Sequence, residues 1–247
     1  MSFKIGLCSV SFRSLSAEQI MEGARKAGLD VIEWGSDVHA PWGDQGRLLE
    51  IVKLQEESGI KCCSYGTYFR IGVTPVAELD GYIHAAKTLG TNILRLWCGN
   101  KNSEEYTEEE KTALFAQCKA VADIAQQQGV VLCMECHNGT YTNAKEAALE
   151  LMYVVNSDHF RMYWQPNQHR TDEENLAYAK ALSKFTENLH VFNWRGSEKF
   201  PLCGATKLWK EYLSCFDGDR ALLLEFMPDG KIETLAREAD ALREIVK

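Results

Sequence analysis

The stretch QQQGVVLCMECHNG, Gln126–Gly139, holds a helix end, a glycine stop, a strand and a polar cluster in immediate succession. Upstream, Thr107 and Glu110 stand at capping-box spacing, which predicts a long helix reaching Gln128. Gly129 sits where such a helix stops. Val130–Glu135 then reads as a strand apolar on both faces, as parallel strands covered by helices are. It ends in Glu135, with His137 and Asn138 just beyond. A buried carboxylate is costly unless it is paired, hydrogen-bonded or bound to a metal, so this strand end demands partners.

The same unit recurs along the chain. Strands are expected at Ile5–Val10, Val31–Trp34, Ile60–Tyr65, Ile93–Trp97, Val130–Glu135, Phe160–Trp164, Leu189–Asn193 and Ala221–Phe226. Helical periodicity follows each one: from Ser16 to Gly28, from Leu48 to Gly59, then over Val76–Leu89, Thr107–Gln128, Asn143–Val155, Asp172–Phe185, Lys207–Cys215 and Ile232–Val246. Strands alternating with helices make a parallel α/β architecture. Eight such units in 247 residues predict a closed (β/α)8 TIM barrel, a single domain over 1–247. The first βα turn, Ser11–Leu15, lacks a glycine-rich phosphate fingerprint, which argues against an open nucleotide-binding sheet.

Composition narrows the function. A net charge of −8 and a pI near 5.4 speak against a nucleic-acid partner. No apolar run reaches the ~18 residues of a membrane helix. The first residues, Met1–Gly6, have no apolar signal core, so the expectation is a cytoplasmic protein with no membrane partner. There are nine cysteines, expected to be free thiols. Cys133 and Cys136 have the spacing of a zinc pair, but strand alternation points them to opposite faces. Cys133 should lie deeper along the face of Glu135, and Cys136 should turn away.

In a barrel of this kind the chemistry collects at the C-terminal strand ends. The last four strands carry Glu135, Gln165, His190 and Glu225 at corresponding places. Taken singly, a strand glutamate reads as a salt-bridge partner and a strand histidine as a hydrogen-bonded core residue. Four such groups on consecutive strand ends read as a metal site. The set is rich in oxygen and free of thiolate, which favours Mn²⁺, with Mg²⁺, Co²⁺ and Zn²⁺ as alternatives. Further pocket residues are expected at Trp34, Trp97, Trp164 and Trp194 near strand ends. His39, His137 and His169 follow strands, and Arg195 is a candidate for an anionic group. Arg95 lies inside the fourth strand, where an unpaired charge is costly. It should face the mouth, binding substrate or pairing with a ligand glutamate.

AGLDVIEWGSDVH at Ala27–His39, CMECHNG after Leu132 and LLLEF at Leu222–Phe226 together resemble the xylose isomerase-like TIM barrels, especially the sugar phosphate isomerase/epimerase family. The likeness runs through essentially the whole chain. It implies one divalent metal held by Glu, Asp, His and Glu on the last four strands, here Glu135, Gln165, His190 and Glu225. It also implies proton transfer between Glu135 and Glu225 beside a substrate carbonyl, giving isomerisation or epimerisation of a small sugar, polyol or keto acid. Dehydration of an inosose-type ring would use the same base. Gln165 departs from the family's Asp and removes one negative charge, which leaves a non-catalytic sugar-binding barrel as an alternative. A repair endonuclease of the abasic-site type would need further histidines, and the third and fourth strand ends (Tyr65–Tyr68, Trp97–Gly99) lack them. Homo-oligomers are common among such barrels, but no stretch identifies an interface.

Overall fold

The protein is described here by a computed structural model covering residues 3–247. Eight strands, β1 (Lys4–Cys8), β2 (Val31–Gly35), β3 (Lys61–Ile71), β4 (Ile93–Cys98), β5 (Val131–Glu135), β6 (Phe160–Trp164), β7 (Thr186–Val191) and β8 (Ala221–Leu224), pair in parallel around a closed barrel. Neighbours follow chain order, and β1 closes the ring against β8. The outer ring is α1 (Ala17–Lys26), α2 (Gln45–Ser58), α3 (Leu79–Thr88), α4 (Glu108–Gln128), α5 (Lys145–Val155), α6 (Asp172–Leu182), α7 (Thr206–Leu213) and α8 (Leu235–Val246). No helix of the described residues is long and apolar enough to cross a membrane.

Capping fixes several helix starts. Ser16, Thr107 and Thr171 each close a reciprocal capping box, with Gln19, Glu110 and Glu174. Gly59 and Gly129 end α2 and α4 in the left-handed conformation that glycine enters without steric cost.

The boundaries differ from expectation in three informative places. β1 stops at Cys8 rather than Val10, and a short 3₁₀ turn, Ser9–Phe12, follows. There the Ser9 hydroxyl accepts the Gly35 N–H (2.9 Å), tying the two strand ends together. β3 runs on to Ile71 instead of ending at Tyr65. Its register against β2 slips between Ile32 and Glu33, and the long upper half pairs with β4 through Arg70–Trp97 and Ile71–Cys98. β7 begins at Thr186 and ends at Val191, and a two-stranded hairpin, Trp194–Arg195 with Glu198–Lys199, caps the mouth beyond it.

Two apolar cores result. The larger fills the space between barrel and helices, and all the long helices contribute to it. The smaller plugs the barrel axis with Val31, Cys133, Tyr163, Ala221 and Leu223. Gly6 belongs to that inner ring because nothing larger fits: a Cβ there would stand 2.6 Å from the Val31 carbonyl oxygen and 2.7 Å from Leu223. Gly6→Ala is therefore expected to cost about 1–3 kcal/mol through overpacking, read as a lowered thermal midpoint. The nine cysteines are free thiols. Cys133 lies in the inner plug below Glu135 and Cys136 packs outward, as alternation predicted.

Candidate active site at the barrel mouth

Inward-facing positions just above the apolar plug carry polar groups. Glu33 on β2, Arg95 on β4, Glu135 on β5, Gln165 after β6, His190 on β7 and Glu225 after β8 are all buried. His190, fully buried, is the hub. Its Nδ1 stands 2.8 Å from Gln165 Oε1, 3.6 Å from Glu135 Oε1 and 3.5 Å from Glu225 Oε2. The four residues singled out as a metal set thus converge on one imidazole nitrogen.

Donor atoms sharing an ion at bond lengths of about 2.0–2.2 Å stand about 3 Å apart. The separations from Nδ1, 2.8–3.6 Å, are near that size, and two carboxylates, an amide oxygen and an imidazole are donor types that a divalent cation accepts. Burial pushes the His190 pKa down, but Glu225, Cys8, Glu135 and Glu33 hold it well above the ordinary histidine range.

The two glutamates differ in their surroundings. Glu135 Oε2 accepts from Arg95 Nη1 and from Trp97 Nε1, both at 2.6 Å, which leaves Oε1 facing the site. Burial raises its pKa, but Arg95 and His190 outweigh that and hold it below the usual carboxylate range. Glu225 has no such clamp; burial, together with repulsion from Glu135, raises its pKa despite His190. Phe226, directly after it, takes a positive φ of 51°, rare for an aromatic residue. Its N–H donates to Ser11 Oγ (2.9 Å), pinning the strained strand end. Cys8 also faces inward, and its Sγ, His190 and Glu225 offer donor atoms within 4.8 Å of one another. Burial, with the charge of Glu33, pushes that thiol up to about 12, so it stands as a donor to Glu33 (3.2 Å) rather than as a thiolate.

A cavity of about 240 Å³ opens above the cluster, walled by Glu135, Cys136, His137, Asn138, Gln165, Asn167, Gln168, Phe192, Trp194, Glu225 and Phe226. Phe192, Trp194 and Phe226 form a continuous aromatic wall, with centroids 4.7 and 5.3 Å apart. A larger groove of about 710 Å³ runs on the surface between α1 and α8, but none of the convergent inward groups line it.

Other expected site residues fall elsewhere. Trp34 points outward and donates Nε1–H to Gln55 of α2 (2.9 Å), because its neighbour Glu33 takes the inward face. Trp164 is likewise core, packed on Trp209, Tyr212 and Phe216. His39 is buried with Nδ1 on Ser9 Oγ (3.1 Å) and Nε2 on the Leu15 carbonyl (3.2 Å), so neither nitrogen is open to a ligand. Arg95 does face the mouth, and of its two expected roles it takes the pairing one, with Glu135 and also with Glu33. His169 is exposed in the loop after β6, outside the cavity wall. Arg195 sits on the hairpin, paired with Asp172. His137 does line the cavity, its ring 5.8 Å from that of Trp97.

Sequence reading did not single out Glu33. Its signal was present: a carboxylate at the middle of the short apolar run Val31–Gly35, on the parity that faces the axis.

Residues 21–200 match the family model of the xylose isomerase-like TIM barrel. A curated relative, the 3-dehydroshikimate dehydratase of Bacillus anthracis, is 21% identical over 170 residues, covering 64% of this chain and 60% of that protein. The solved probable 3-DHS dehydratase AsbF of the same organism superposes with a TM-score of 0.77 at 16% identity, over 97% of this chain and 98% of the other. The IOLI protein, solved with a bound zinc atom, gives 0.74 at 17% identity over 98% of both chains. D-psicose 3-epimerase of Clostridium cellulolyticum H10, solved with D-tagatose, gives 0.67 at 14% identity over 97% of both. At these identities the superpositions establish the fold alone.

Proposed function

This chain belongs to the xylose isomerase-like TIM barrels, and on that premise we propose that it is a divalent-metal-dependent isomerase or epimerase of a small sugar, polyol or keto acid. The observation that carries the reading is the convergence of Glu135, Gln165 and Glu225 on His190 Nδ1. Those four residues would hold the ion, Mn²⁺ by preference. When bound it would supply Lewis-acid stabilisation of charge developing on a substrate carbonyl oxygen.

The chain's own groups divide the remaining work. Glu135, ionised and held at Oε2 by Arg95 and Trp97, offers Oε1 as the base that takes a proton beside the carbonyl. Glu225, whose pKa is raised by burial and by Glu135, would return one from the other side of the hub. Carboxyls pushed apart in pKa are suited to opposite roles in one proton transfer. The aromatic wall gives C–H surfaces a face to rest on, and the amides of Asn138, Asn167 and Gln168 offer partners to hydroxyls. No lysine or arginine is among the residues lining the cavity, which favours an unphosphorylated substrate. Dehydration is the second reading, supported by the match to a dehydratase; the same base would serve, followed by loss of a hydroxyl.

Elemental mass spectrometry of protein purified without chelator is expected to find about one divalent ion per chain. Stripping the ion should abolish turnover. Re-adding Mn²⁺ at a hundred times its dissociation constant should stabilise the fold by about 2.7 kcal/mol, or roughly 5–10 °C in thermal midpoint. Incubation in D₂O with ketoses, inososes and small keto acids, followed by mass analysis, reads the chemistry directly. Gain of a deuteron supports isomerisation or epimerisation, and loss of water supports dehydration. Binding of these ligands with neither change would move the non-catalytic reading to the front.

A further inference from the structure

Glu33 is among the most deeply buried charges in the protein, at 0% exposure, and it cannot serve as a ligand alongside the converging set because it lies on the far side of the imidazole. Its Oε1 accepts from Arg95 Nε (2.9 Å) and from the Cys8 thiol (3.2 Å), and its Oε2 accepts from Ser64 Oγ (2.8 Å). His190 Nε2 stands 3.5 Å from that same Oε1 and has no hydrogen-bond partner of its own among the described residues. One carboxylate thus addresses two members of the proposed metal set. It faces His190 directly, and it reaches Glu135 through Arg95, whose Nη1 holds Glu135 Oε2 at 2.6 Å.

The backbone is shaped to permit this. Gly66 on β3 lies where an added Cβ would stand 2.6 Å from Arg95 Nη2 and 2.7 Å from Glu33 Oε1. No positive φ requires glycine there. The absent side chain is room for the ion pair.

We propose that Glu33 is the positioning residue of the mouth: it keeps the proton of His190 on Nε2, so that Nδ1 presents a lone pair to the ion, and it braces Arg95, so that Glu135 presents only Oε1. This inference rests on the metal-site reading above. Ligating histidines that give their other N–H to a carboxylate gain basicity and a fixed ring orientation, and losing such a partner typically costs 10–100-fold in metal affinity. Burying a charge to stabilise a fold, by contrast, is a poor device, since apolar residues of like volume serve as well or better.

The test is Mn²⁺ titration of metal-free full-length protein, followed by the loss of the free-ion EPR signal, on wild type, Glu33→Gln and Gly66→Ala. Titrations are run well below each variant's melting temperature. Glu33→Gln keeps the side chain's size and removes its charge; Gly66→Ala wedges the pair apart and leaves every ionisable group in place. Both are expected to raise the Mn²⁺ dissociation constant, Glu33→Gln by about 10–100-fold. If Glu33 were merely structural, thermal midpoints would fall while the dissociation constant of the folded protein stayed at the wild-type value; that result overturns the proposal. A wild type that takes up no Mn²⁺ overturns the metal reading, and the proposal with it, so the two failures are told apart by the wild-type curve.

Discussion

Glu225→Gln is expected to lower kcat/KM by about three orders of magnitude, within the range of a lost general acid or base, while leaving the metal-free fold as stable as wild type or more so. A thousandfold loss corresponds to about 4 kcal/mol of transition-state stabilisation. The stability half of the expectation comes from the side chain's surroundings. Glu225 is 8% exposed and its one ion-pair partner among the described residues is His190, with Glu135 repelling it across the hub. Its pKa is raised above 4.5 in the folded state. A carboxyl of that kind binds more protons folded than unfolded, so its contribution to stability falls as pH rises through the window above 4.5. The glutamine variant lacks that decline. Thermal melts of both metal-free proteins from acid to neutral pH should therefore separate in favour of the variant, while the deuterium-exchange assay records its lost turnover. A variant with wild-type exchange would remove Glu225 from the proton-transfer pair.

How far the sequence could be read depended on which periodicity carried the information. The βα rhythm was legible because each helix has a start or stop chemistry of its own, such as the Thr107–Glu110 box and Gly129. The hub was legible because strand alternation is strict near the axis: Cys133 below Glu135, and Leu223 below Glu225, follow from period two alone. The same parity, applied to β2, would have sent Trp34 outward and Glu33 inward. The indole drew the eye because tryptophan suits a sugar, whereas a glutamate between isoleucine and tryptophan resembles a boundary error. His39 and Arg195 were not decidable locally. Each is occupied by partners distant in sequence: His39 by hydrogen bonds to Ser9 and Leu15, Arg195 by an ion pair with Asp172. The extension of β3 past Gly66 was hidden for a related reason. A glycine in a strand reads as a stop, and only the Arg95–Glu33 pair packed against it shows why a glycine belongs there.

Arg95→Leu should be the most destabilising substitution at the mouth, by about 3–5 kcal/mol, the usual result of removing one partner from a buried ionic network. For a chain of this length that is roughly 6–20 °C in thermal midpoint. Arg95 is 3% exposed and is the one guanidinium between Glu33 and Glu135, at 2.9 and 2.6 Å. With it present, both carboxylates lie below 4.5 despite burial, so they add stability that is in place above that value and is lost as pH falls through the depressed range. Without it, burial dominates and their pKa values move up, so the variant should instead lose stability as pH rises. The gap between the two proteins should then be wider at about pH 7 than at about pH 4; a gap independent of pH would mean that Arg95 acts by packing alone. Combining Arg95→Leu with Glu33→Gln and Glu135→Gln removes every stranded charge. That triple variant should recover most of the lost stability while showing no turnover. Its recovery would establish that the network of Glu33, Arg95 and Glu135 is not what holds the barrel together, and that these charges are kept in the protein's interior by the demands of the site above them.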